Sequence, residues 1–120
     1  MQILIAEDDH ILSLVLENMI RRMGHEVVFV CRNGKNTIKQ ALSKKPDCIL
    51  LDYFLMDDLN GYQVMVKIRQ QLQIPVVFIT GQPLNLIKVK TDEIKYSVCI
   101  TKPVLYHDLE KAIENLVNQT

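Results

Sequence analysis

Five short apolar runs recur along the chain, at 2–6 (QILIA), 26–30 (EVVFV), 48–51 (CILL), 75–79 (PVVFI) and 97–101 (SVCIT). Runs this short and this continuously apolar read as strands buried on both faces, the condition of a parallel sheet covered by helices. Between and after them, apolar residues repeat at three- and four-residue spacing, the period of a helix with one buried face. Strand and helix patterns in strict alternation leave few arrangements, because crossovers between parallel strands are right-handed and pack their helices onto the sheet.

The helical stretches differ in clarity. Leu12, Val15, Leu16, Met19, Ile20 and Met23 mark the first, with Asp8 or Asp9 as its cap and Gly24 as its stop. Asn33-Gly34 turns the chain into a weaker second helix carrying Ile38, Ala41 and Leu42, which Lys44, Lys45 and Pro46 close. Val64, Met65, Ile68 and Leu72 form a third stripe that ends before Pro75. Between 83 and 94 the pattern is weakest: Leu84, Ile87 and Ile94 allow a helix against interspersed lysines and β-branched residues. Leu105, Leu109, Ala112, Ile113, Leu116 and Val117 draw the last one. The expected fold is α/β, a doubly wound five-stranded parallel sheet of order 2-1-3-4-5 with five helices, flavodoxin-like.

A chain of 120 residues fits one domain, 1–120, with a single core. Fourteen basic residues balance fourteen acidic ones, so no basic surplus advertises direct contact with nucleic acid. Cys31, Cys48 and Cys99 are an odd set without a C-x-x-C pair, and two lie in strand-like runs; they read as reduced, buried thiols of a cytoplasmic protein. No apolar run approaches the length of a membrane span, and Met1 leads into the first strand without a basic, signal-like region.

The chemistry lies in what the strands end on. The first closes on Glu7, Asp8 and Asp9, the third on Asp52, the fourth on Thr80-Gly81 and the fifth on Lys102-Pro103. Only the second, ending near Cys31, carries no evident reactive group. In the expected order the first and third strands are neighbours at the switch point, where α/β sheets bind ligands. Glu7, Asp8 and Asp52 cannot share a small site as anions unless a cation sits among them, and a hard divalent ion, Mg2+, suits oxygen ligands. The Thr80 hydroxyl and Lys102 ammonium complement two oxygens of a phosphoryl group. Asp52 then serves as the nucleophile that forms an aspartyl-phosphate, against the plainer reading that it merely opens a turn. Asp57 and Asp58 read as solvated turn formers outside the site, and His10 as a solvent-facing residue at a helix start.

Taken in order, ILIAEDD, the run ending in Asp52, FIT-Gly81 and ITKP resemble the response-regulator receiver domain of two-component signalling, over essentially the whole chain. The resemblance implies that Glu7 and Asp8 are the acidic pair around Mg2+, joined by Asp52 and the backbone carbonyl of Phe54. Asp52 would be the phosphoacceptor, Thr80 the switch hydroxyl and Lys102 the lysine that pairs with the phosphoryl group. The donor would be a phosphohistidine on a sensor histidine kinase or phosphotransfer protein, and the only catalysis the domain's own phosphorylation and dephosphorylation. A downstream effector is expected on the face made by residues 82–94, the fifth strand and the last helix, a face compatible with a phosphorylation-linked homodimer.

The chain departs from the family pattern at three places. Leu55-Met56 stands where a Met-Pro pair is usual, the loop is one residue longer before Asn60-Gly61, and Cys99 holds the position of the switch aromatic. Ring rotation is therefore excluded as the switch, and Tyr96 upstream reads as a surface tyrosine. Phe54 and Gln82 are expected to flank the phosphoryl group, with apolar Phe54 limiting the approach of water and prolonging the phosphorylated state. Two rival functions remain. A phosphorylation-independent pseudo-receiver binding module fits the departures. An Asp-nucleophile phosphatase of the haloacid-dehalogenase type would need a second Asp where Phe54 stands.

Overall fold

A computed structural model describes residues 1–83 and 90–119. The five apolar runs become strands β1 (Gln2–Ala6), β2 (Glu26–Cys31), β3 (Cys48–Asp52), β4 (Val76–Thr80) and β5 (Ser97–Thr101), all parallel, in the order β2-β1-β3-β4-β5. Among the described residues there are four helices: α1 (His10–Arg22), α2 (Gly34–Lys44), α3 (Gly61–Arg69) and α4 (Tyr106–Gln119). The further helix expected within 83–94 falls mainly on 84–89, outside the described residues. No helix among the described residues is long and apolar enough to cross a membrane.

Side chains alternate across the sheet and so divide the core into two layers. Leu4, Ile49, Leu51, Val76 and Phe78 face the layer of Val64, Met65 and Ile68 from α3 and Ala41 from α2. Ile3, Ile5, Leu50 and Val77 face the other, built on Leu16 and Ile20 of α1 and on Leu109, Ile113 and Leu116 of α4. Every one of these strand side chains is fully buried, each contributing on the order of 2 kcal/mol from removal of apolar surface. β2 and β5, the sheet edges, are only half-buried along most of their length.

The helix ends follow local chemistry. Asp9, rather than Asp8, caps α1 by accepting the N–H groups of Ile11 and Leu12, and Gly24 beyond it takes a left-handed φ of 88°. Asn33 caps α2, and Asn60 and Gln63 cap α3 reciprocally. α3 stops at Arg69, before the expected Leu72, and the Arg69 guanidinium binds the Ile74 carbonyl at 3.0 and 2.8 Å. β4 starts one residue after Pro75, which has no N–H to give the ladder; Val76 N–H makes the first bond, to Tyr96 O.

Candidate functional site

Backbone bonds just past the strand ends gather the acids, the hydroxyl and the lysine on one rim. Glu7 N–H donates to Cys31 O at 3.0 Å, Tyr53 N–H to Ile79 O at 2.8 Å and Lys102 N–H to Thr80 O at 2.8 Å. The ladder thus extends one residue beyond each strand and sets Glu7, Asp52, Thr80 and Lys102 side by side. Carboxylate oxygens of Glu7, Asp8 and Asp52, one from each, lie within 4.8 Å of one another. Glu7 and Asp52 are buried, at 1% and 4% exposure, and Thr80 is fully buried.

The Lys102 ammonium sits 3.0 Å from Asp52 Oδ2 and 3.4 Å from Glu7 Oε1. Burial opposes its charge, but the hydrogen bond and charge of Asp52, with the nearby charge of Glu7, outweigh burial and hold its pKa above the ordinary value. Asp52 Oδ1 accepts the Phe54 N–H at 3.2 Å. Glu7 Oε2 accepts the Asp9 N–H at 3.0 Å, whereas Glu7 Oε1 is buried without a hydrogen bond. Burial, reinforced by the charge of Asp52, pushes the Glu7 carboxyl up to about 7. A buried carboxylate oxygen with no hydrogen bond and only an ammonium 3.4 Å away, in a cluster of three acids, is the environment a divalent cation relieves, so the residues fit Mg2+. Thr80 Oγ1 accepts the Gln82 N–H at 2.9 Å, leaving its own proton to donate.

The loop between β3 and α3 is closed at its base by the Phe54–Asn60 bridge and by Gly61 N–H to Tyr53 O at 2.8 Å. Gly61 is closely packed, since a Cβ there would stand 3.2 Å from the Phe78 ring and from Tyr53 Cα and would require one of them to give by a few tenths of an ångström. The Phe54 ring is half exposed and lies edge-on to Tyr53 at 5.0 Å. Asp57 corrects the sequence reading. It lies outside the acid cluster and in a bend, as read, but it is more than a solvated turn former: its Oδ1 accepts the Gly34 N–H at 2.9 Å and its Oδ2 the Lys35 N–H at 3.0 Å. Slight burial would raise its pKa, but the N–H groups it accepts lower it. Asp58 and His10 are exposed, as expected.

Arg32 was not anticipated. It follows β2, the strand that offered no reactive group, and its Nη1 reaches Glu7 O and Ser13 Oγ at 3.2 Å each. All five strand ends therefore contribute a polar group to the rim or its frame. No spacing rule links Arg32 to Glu7; only the β1–β2 pairing in the fold order does.

Of the cysteines, all free, Cys31 and Cys48 are buried and their thiols pushed up to about 11 and about 12 by burial. Cys99, expected to be buried, is half-exposed to the β5 edge, where its thiol donates to Thr91 Oγ1 at 3.2 Å. Ser97 Oγ donates to Ile94 O at 2.6 Å, and Tyr62 OH on α3 donates to Glu93 Oε2 at 2.8 Å beneath the Lys90 ammonium. Residues 90–94, the described end of the stretch 82–94 expected on the effector face, are thus tied to β5 and to α3. Residues 84–89 of that segment lie outside the described residues.

A parallel sheet of this order, with acids closing β1 and β3, a threonine closing β4 and a lysine following β5, matches the response regulator receiver domain. The model of that family covers residues 3–114, and the chain belongs to it; its members are receiver domains of two-component regulatory systems, signalling proteins rather than ordinary enzymes. Among relatives, the phyllosphere-induced regulator PhyR of Methylorubrum extorquens is 35% identical over 83 residues, 68% of this chain and 31% of that protein. The alkaline phosphatase synthesis transcriptional regulatory protein PhoP of Bacillus subtilis is 27% identical over 120 residues, 99% of this chain and 49% of that protein. The chain therefore spans between about a third and about half the length of these relatives. The solution structure of the PhyR receiver domain of Erythrobacter litoralis matches with a TM-score of 0.80 at 30% identity, over 97% of this chain and 88% of that one.

Proposed function

We propose that residues 1–120 form one receiver domain that acts as a phosphorylation-dependent switch in the cytoplasm. The observation that carries the reading is the shared cation: Lys102 is held by both Asp52 and Glu7 while Glu7 Oε1 lacks a hydrogen bond. When bound through Glu7, Asp8, Asp52 and the Phe54 carbonyl, Mg2+ supplies charge neutralisation for the incoming phosphoryl group. An Asp52 carboxylate oxygen attacks phosphorus, and the phosphorus–nitrogen bond to the donor imidazole breaks. The bonding pair leaves with the imidazole, which takes a proton from solvent, and Asp52 becomes an aspartyl-phosphate. Lys102 then exchanges its carboxylate contact for a phosphoryl oxygen, and the Thr80 hydroxyl donates to another.

The donor is the phosphohistidine of a sensor histidine kinase or phosphotransfer protein. Ile11 and Leu14, on the first turns of α1 beside the acid loop, are 76% and 65% exposed and offer that protein an apolar surface. The output surface is the face of residues 82–94, β5 and α4, which engages an effector or a second phosphorylated copy. A phosphorylation-independent binding module is the second reading, favoured by Cys99, whose thiol is engaged with Thr91 where the family carries a mobile ring.

The test is the intact mass of the wild type and of Asp52→Asn after incubation with Mg2+ and acetyl phosphate. One phosphoryl group on the wild type alone supports the switch. No label on either supports the binding module, and equal label on both removes Asp52 from the role of acceptor.

A further inference from the structure

We propose that Asp57 is a positioning residue for the acid pocket, holding the loop that follows Asp52 by gripping the first turn of α2; this rests on the Mg2+ and Asp52 roles proposed above. The loop at 53–61 contains no proline to stiffen it, and its base carries both Asp52 and Phe54, whose N–H lies on Asp52 Oδ1. The base is closed by the Phe54–Asn60 bridge. Its far side is fixed by Asp57, which spends both carboxylate oxygens on the Gly34 and Lys35 N–H groups.

The anchor has little slack. A Cβ on Gly34 would stand 2.9 Å from Leu59 Cβ, 3.0 Å from Val64 Cγ2 and 3.1 Å from Asp57 Oδ1, so loop, α2 and α3 meet there at contact distance. Asn33 already caps the Asn36 N–H. Asp57 thus takes the two N–H groups that the helix's own cap leaves. On the other side of the same turn, Arg32 holds the Glu7 carbonyl. The turn after β2 therefore braces the acid loop and the acceptor loop together, although it gives no ligand to the site. Groups that orient metal ligands from outside the ligand set typically change metal affinity by about ten- to a hundredfold when removed.

The experiment measures Mg2+ affinity by isothermal titration calorimetry, and labelling rate by acetyl phosphate across a range of Mg2+, for the wild type, Asp57→Ala, Asp57→Asn, Lys35→Pro and the exposed control Asp58→Ala. Asp57→Ala should weaken Mg2+ about tenfold and shift the half-saturating Mg2+ to match, with the maximal rate near wild type. Asp57→Asn keeps one accepting oxygen and should fall between. Lys35→Pro removes one donor at a first-turn position that tolerates proline, keeps the carboxylate, and should move affinity in the same direction even where Asp57→Ala does not fold. Wild-type affinity in both Asp57→Ala and Lys35→Pro, with only a lower melting temperature, would overturn the proposal. So would a fallen maximal rate at unchanged Mg2+ affinity. A wild type that binds no Mg2+ overturns the site reading itself, and this inference with it.

Discussion

Lys102 reaches across fifty residues of sequence to place its ammonium 3.0 Å from Asp52 Oδ2. The same nitrogen faces Glu7 at 3.4 Å, so one cation on β5's end stands between two buried carboxyl groups on the ends of β1 and β3.

Removing that cation separates its two roles. Lys102→Ala should destabilise the metal-free protein by about 2 kcal/mol, below the usual cost of breaking a fully buried pair because the ammonium stands at the rim. Mg2+ should restore most of that loss and bind more tightly than in the wild type, since it no longer competes with an ammonium, while labelling of Asp52 falls by at least about a hundredfold. Urea melts with and without Mg2+, set beside the labelling rate, test this; Mg2+ affinity unchanged by the substitution would contradict it.

Glu7 gives the site its pH dependence. Its carboxyl is raised from 4.5 to about 7 by burial and Asp52, so the folded state binds the proton more tightly than the unfolded chain. The stability this provides is complete below about pH 4.5 and is lost as pH rises toward about 7. Mg2+ requires the ionised form, so its apparent affinity should climb over the same window and level off above it. Glu7→Gln should abolish that part of the stability slope and bind Mg2+ poorly at every pH. A wild-type slope retained in Glu7→Gln would assign the effect elsewhere.

Gly34→Ala tests the crowding at the start of α2. Helix propensity alone favours alanine by up to about 1 kcal/mol, but a Cβ 2.9 Å from Leu59 Cβ introduces a steric cost of about 1–3 kcal/mol. Net destabilisation of about 1 kcal/mol is expected in urea. A variant as stable as wild type would show that Leu59 and Val64 can withdraw.

Phe54 stands beside Asp52 with its ring half exposed and its N–H on the carboxylate. An apolar ring there limits ordered water near the acyl phosphate, whereas an amide can hold one. Phe54→Asn should therefore shorten the life of the phosphorylated protein severalfold, followed as loss of the phosphoryl mass with time. Decay no faster than wild type would remove Phe54 from this role.

Asp52, Thr80 and Lys102 were legible in the sequence because each closes an apolar run, and parallel pairing carries such ends to a common rim. The alternating layers were legible for the same reason: burial on both faces leaves no polar position inside β3 or β4. Arg32 and Asp57 were not, because their partners lie 25 and 23 residues away and periodicity records faces, not pairings. Choosing Asp9 over Asp8 as the cap depended on Glu7 Oε2 holding the Asp9 N–H, a bond between a strand end and a turn that neither pattern encodes. The early stop of α3 at Arg69 has the same character, since the reach of one guanidinium to Ile74 is not a property of the local apolar stripe.

The bond from Tyr62 to Glu93 has a mechanical consequence. Tyr62 is the second residue of α3, directly after the loop that begins at the acceptor, and its hydroxyl grips the stretch leading into β5. Through that one hydroxyl the start of α3 connects the loop after Asp52 to residues 90–94, so under the proposed phosphorylation a loop that tightened around the phosphoryl group would pull on residues 90–94 from the outside of the molecule. Transmission by that route needs no aromatic ring behind β5, which is the part this chain has replaced with Cys99.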